Sequence, residues 1–80
     1  MHELSLTRNV VAIVAEAAAG RRVTKVTLEV GARAGVMAHA IAFCFDVVAR
    51  GTPVEGAVLE ILETPGDALK VKTMDVEEAA

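Results

Sequence analysis

The spacing of apolar residues switches between a helical and a strand period three times within 80 residues, and this alternation constrains the fold more than any other feature. From Glu3 to Ala19 the apolar residues Leu6, Val10, Ile13, Val14 and Ala17 recur at helical spacing, with Ser5, Arg8, Asn9 and Glu16 opposite. Gly20 ends that helix. In VTKVTLEV the period becomes two: Thr24, Val26, Leu28 and Val30 share one face, and Lys25, Thr27 and Glu29 the other. Gly31 and Gly35 mark a turn. Helical spacing returns from Met37 to Arg50, where Met37, Ile41, Cys44 and Val48 form a stripe flanked by Ala40, Phe45 and Val47. Gly51 and Pro53 stop this second helix. On its polar side lie His39, Asp46 and Arg50; Asp46 and Arg50 are four apart and able to pair, and Phe43 lies close enough to that side to be exposed.

Ala57 to Glu63 reads as a second strand, with Leu59 and Ile61 on one face, and Leu69 to Val76 as a third. Pro65-Gly66 suits the centre of a type II turn, so these two strands are expected to form a hairpin. Leu69 and Val71 are out of phase with Met74 and Val76, which places a bulge or twist near Thr73. The predicted fold is α+β, order α-β-α-β-β, with two helices on one face of a three-stranded sheet. Neither repeat nor linker divides residues 1–80, which read as a single unit.

A chain of this length buries only about 60% of its unfolded surface, or slightly more, so one core is the most it can build. Two phenylalanines and no Trp or Tyr make that core aliphatic. The formal charge of -3 and the single adjacent basic pair, Arg21-Arg22, argue against nucleic-acid binding, and the pair follows a helix end where cations complement the dipole. One cysteine excludes an internal disulfide and paired CxxC zinc sites and fits a reduced, cytoplasmic setting. VVAIVAEAAAG has the apolar look of a signal peptide, but Glu16 interrupts it, an acidic start precedes it, and it is too short for a membrane span.

Enzymatic signatures are missing: there is no glycine-rich phosphate loop, no GxSxG elbow, and no Ser, His and acid set on strand ends. His39 and Cys44 lie five apart on a helix and project about 140° from each other. Cys44 is expected to be a buried packing residue and His39 a solvated one. The opening MHEL differs in kind. The amine of Met1, the deprotonated backbone nitrogen of His2 and its imidazole can chelate one ion through fused rings, with the amide or carboxylate of Glu3 as a fourth donor. A nitrogen-rich, nearly square-planar set suits Ni(II) or Cu(II) and suits zinc poorly. On residue chemistry alone a plainer reading stands beside it: Glu3 favours the first turn of a helix through the dipole and His2 is a solvated terminal residue.

MHELSLTRNVVAIVAE, VTKVTLEVGARAGV, FCFDVVARGTPVEGAVLEI, ETPG and LKVKTMDVE together resemble the HypA/HybF family of nickel-insertion accessory proteins for [NiFe]-hydrogenase. The most specific segments are MHELSL, Leu28 to Val36 and Phe43 to Thr52. The resemblance implies a Ni(II) site made by Met1, His2 and Glu3, a carrier rather than an enzyme, a partner GTPase of the HypB kind, and delivery to the hydrogenase large subunit, in some organisms also to urease. It also implies a zinc-binding segment with two CxxC pairs after ETPG. This sequence instead passes from Gly66 directly to Asp67, so no structural zinc is expected and whatever that module contributes is in question. His39 falls in GVMAHAI, where the family often has an acidic, proline-containing helix start, and inherits no role.

The competing expectation is a metal-independent interaction module that keeps the fold without delivering metal. The unpaired edges of a three-stranded sheet invite strand pairing or swapping between copies, giving a homo-oligomer.

Overall fold

The computed structural model describes residues 2–77. Its elements follow the expected order: α1 (His2–Ala18), β1 (Val23–Gly31), α2 (Ala38–Ala49), β2 (Val58–Thr64) and β3 (Leu69–Val76). The sheet order is β2-β1-β3, with β1 parallel to β2 and antiparallel to β3. The structure therefore corrects the expected hairpin: β2 and β3 occupy opposite edges and do not pair.

The reason lies in β1, the most deeply buried strand. Val26 and Leu28 are fully buried and Val30 nearly so, a burial that demands neighbours on both sides. No residue of β2 or β3 is fully buried, which suits edge positions. Residues 65–68 do not reverse the chain tightly but cross the end of β1. Gly31 N–H donates to Ala68 O at 2.8 Å, Ala32 N–H to Thr64 O at 2.7 Å and Arg33 N–H to Gly66 O at 2.9 Å. The crossing is so close that a Cβ on Gly31 would overlap the Gly66 carbonyl, which is why this position is glycine.

The expected bulge is present. Thr27 pairs with Thr73 while Leu28 pairs with Val71, leaving Lys72 without a partner, so Leu69, Val71, Met74 and Val76 all pack against the core despite their broken parity. A second irregularity lies between Val23 and Lys25. It turns Val23 inward and leaves Thr24 exposed, its hydroxyl donating to Asp75 O, so Thr24 does not share the buried face as its parity predicts.

Both helices pack on one face, α1 over β1 and β3, α2 over β2. The inward side of α1 is Thr7, Val10, Val11, Val14 and Ala18, rotated from the predicted stripe; Ile13 is 60% exposed and Ala17 is exposed. In α2 the buried residues are Ile41, Phe45 and Ala49, whereas Met37 precedes the helix and Cys44 is only half-buried. Left-handed Ala19 and Gly20 end α1, and Arg21 Nε donates to the terminal carbonyl of Ala18 at 3.4 Å. Arg22 donates to Glu55 O at 3.0 Å, so both arginines are tied to main chain, in keeping with their structural reading. The outer sheet face carries the ion pairs Lys25–Glu60, Lys70–Glu29 and Lys72–Glu29; the expected Asp46–Arg50 pair is not formed.

Replacing Gly31 by alanine forces the crossing segment away from β1 and is expected to cost about 1–3 kcal/mol, the range of overpacked sites. Urea unfolding of Gly31→Ala measures it, and a midpoint equal to wild type would show that the crossing tolerates a side chain.

Candidate functional site

The site begins where α1 begins. His2 is the first helical residue and is exposed. Its N–H, like the others of the first turn, has no carbonyl four residues back to bond within the helix. Met1 lies outside the described residues. Glu3 follows, half-buried, with its main-chain carbonyl accepting the hydroxyl of fully buried Thr7 at 2.6 Å.

The Glu3 side chain reaches beyond its own helix. Oε2 accepts the N–H of Met37 at 3.3 Å, and Met37 is the N-cap residue of α2. Bonds from the Glu3 N–H and then the Met37 N–H hold this carboxyl below its ordinary value of 4.5, with slight desolvation opposing them. The carboxylate thus joins the start of α1 to the start of α2, two places 34 residues apart in sequence.

Beside this junction runs a groove of about 620 Å³ between the helices, walled by Glu3 and Leu4 on α1 and by His39, Ala40, Phe43, Cys44 and Val47 on α2. Phe43 is exposed, as its position suggested, at 74%. His39 is exposed as expected, but it shares this groove with Glu3 and Cys44. Cys44 is a wall residue and not the buried packing residue its stripe implied. The groove escaped the sequence because α2 is apolar on two sides. Residues 41, 45 and 49 mark the inward side and 40, 43, 44 and 47 the groove side, and a single stripe drawn through Met37, Ile41, Cys44 and Val48 runs between them. A helix with so few polar residues does not disclose which side faces inward.

Among the described residues no three His, Cys, Asp or Glu side chains gather as a metal cage.

The family model described as HypA, hydrogenase/urease nickel incorporation, metallochaperone, matches residues 1–72. The chain belongs to the HypA family. The hydrogenase maturation factor HypA of Trichormus variabilis is 58% identical over 66 residues, covering 82% of this chain and 58% of the relative. The factors of the same name from Trichodesmium erythraeum and Geotalea daltonii are 56% and 54% identical over 66 and 65 residues. The match covers 58% and 59% of those two proteins, so the chain spans less than two thirds of the length of the curated relatives it matches. No helix among the described residues is long and apolar enough to cross a membrane.

Because the Glu3 carboxyl is depressed, its contribution to the folded state is fully present above the ordinary carboxyl range and lost as pH falls through the lowered value. Carboxyl-carbon NMR is expected to place the Glu3 midpoint below 4.5, with the Met37 amide signal moving in the same transition. A midpoint at or above 4.5 would contradict the bond.

Proposed function

We propose that this chain is a nickel carrier, not an enzyme: a cytoplasmic metallochaperone unit that takes Ni(II) at its first three residues and helps deliver it for [NiFe]-hydrogenase maturation. Met1 supplies its amine, His2 its backbone nitrogen and imidazole, and Glu3 the fourth position. The observation that carries the reading is that α1 starts at His2 with the imidazole exposed. The nitrogens required are those a helix leaves unused in its first turn, so an ion can bind without breaking a helical hydrogen bond. An exposed, chain-end site is also exchangeable, which delivery demands. Family membership supports nickel as the cargo, since the family description names hydrogenase and urease nickel incorporation.

The partners in this reading are a GTPase of the HypB kind and the hydrogenase large subunit. The groove beside Glu3 favours a second reading, a metal-independent interaction module, because its walls are largely apolar and Phe43 stands exposed on one of them. Equal hydrogenase maturation by wild-type and His2→Ala proteins would favour that module.

Titration of the untagged protein with Ni(II), followed by the visible bands of square-planar nickel, is expected to give one ion per chain. His2→Ala removes the imidazole, and one residue placed before Met1 converts the amine to an amide, so both changes are expected to abolish the signal. Unchanged affinity in the extended protein would overturn the site. Formation of the complex releases protons, so affinity is expected to fall steeply with decreasing pH.

A further inference from the structure

We infer that the Glu3 carboxylate is a positioning residue, a strut that ties the metal-carrying first turn of α1 to the uncapped start of α2. The nickel role rests on the reading above; the strut itself rests on geometry alone.

The start of α2 lacks local partners. Its N-cap residue is Met37, which makes no side-chain capping bond, and its first turn holds no acidic residue. Val36, Met37 and Ala38 have no side-chain oxygen to offer. The positive end of this helix takes its carboxylate instead from Glu3. A carboxylate acceptor makes this a charge-assisted bond, a class stronger than its neutral counterpart. Glu3 is also held from the other side, where buried Thr7 donates its hydroxyl to the Glu3 carbonyl at 2.6 Å. With main chain and side chain both fixed, the first turn has a defined direction relative to α2, and His2, one residue earlier, inherits it.

This assignment separates two uses of one carboxylate. Oε2 faces the Met37 N–H, so direct ligation through that oxygen would take it from α2 and free the end of the groove that Glu3 and His39 border. A strut predicts that the Glu3–Met37 bond persists when nickel is bound; a ligand predicts that it breaks.

The test uses Glu3→Ala, Glu3→Gln and Met37→Pro, the last removing the donor while leaving Glu3 intact. In metal-free protein the Met37 amide is expected to be protected from exchange in wild type and in Glu3→Gln, whose side-chain oxygen still accepts, and to lose protection in Glu3→Ala. With square-planar nickel, which is diamagnetic, the Met37 amide signal of wild type should stay in place. Nickel affinity should fall about fivefold in Glu3→Ala and in Met37→Pro, and no further when the two are combined. Glu3→Gln should recover most of the loss. The strut is overturned if Met37 protection survives in Glu3→Ala, or if Met37→Pro binds nickel as wild type does while Glu3→Gln binds as weakly as Glu3→Ala. If Met37→Pro does not fold, the amide comparison between the two Glu3 variants decides alone. If wild type binds no nickel, the carrier reading fails, while that same comparison still decides whether the strut exists.

Discussion

The crossing of residues 65–68 over Gly31 is the constraint on which the rest of the fold depends. Three main-chain N–H groups at the end of β1 are satisfied by the carbonyls of Thr64, Gly66 and Ala68, at 2.7 to 2.9 Å. Because the segment passes over the strand and does not turn back beside it, β2 and β3 arrive on opposite sides of β1. β1 then has a neighbour on each edge, and its buried face can be wholly apolar. The helices need cover only that one face. A side chain at residue 31 would lift the crossing and, with it, the edge strands. Small size makes this economy necessary, since a chain of this length has a narrow stability margin.

Element identity was legible from periodicity because each segment obeys a local rule: alternation in VTKVTLEV, helical recurrence after Glu3 and after Met37, and a broken parity that located the bulge beside Thr73. Strand pairing was not legible, because Pro65-Gly66 is equally compatible with a tight reversal and with a crossing. The deciding signals were nonlocal. Gly31 sits at the end of the most deeply buried strand, where Val23, Val26, Leu28 and Val30 all face the core. Helix orientation was lost for a different reason. Thr7 is buried and Ile13 is exposed, inverting what hydropathy alone predicts, because Thr7 satisfies its hydroxyl within the helix at the Glu3 carbonyl.

The candidate site divides along the same line. His2 and Glu3 could be singled out from chelate chemistry, and family resemblance strengthened that choice, because both arguments use residues adjacent in sequence. The Glu3–Met37 bond could not be found this way. Nothing in MHEL indicates that its acid serves another helix 34 residues later, and nothing in GVMAHAI indicates that the helix there depends on a distant acceptor. In retrospect the absence of any Ser, Thr, Asp or Asn before Ala38 was a usable signal: a helix start with no cap of its own calls for one from elsewhere. His39 and Cys44 became groove neighbours through the same nonlocal docking of α1 on α2.

Placing a metal on the first turn of a helix has a thermodynamic consequence that differs from a structural metal site. Where ligands are brought together only by folding, binding energy becomes folding energy and the empty protein unfolds. In the proposed carrier the donors are sequence neighbours on N–H groups that the helix cannot use, while the buried residues of α1, from Thr7 to Ala18, lie further along the chain. Loading and unloading then leave the core untouched, as repeated delivery requires. The carboxylate strut fits the same logic, since it orients the first turn from the side of α2 without enclosing it. Orientation and retention then draw on different groups, the first on Glu3 and Met37 and the second mainly on the chelate, so a receiving partner can strip the ion without having to unfold the carrier.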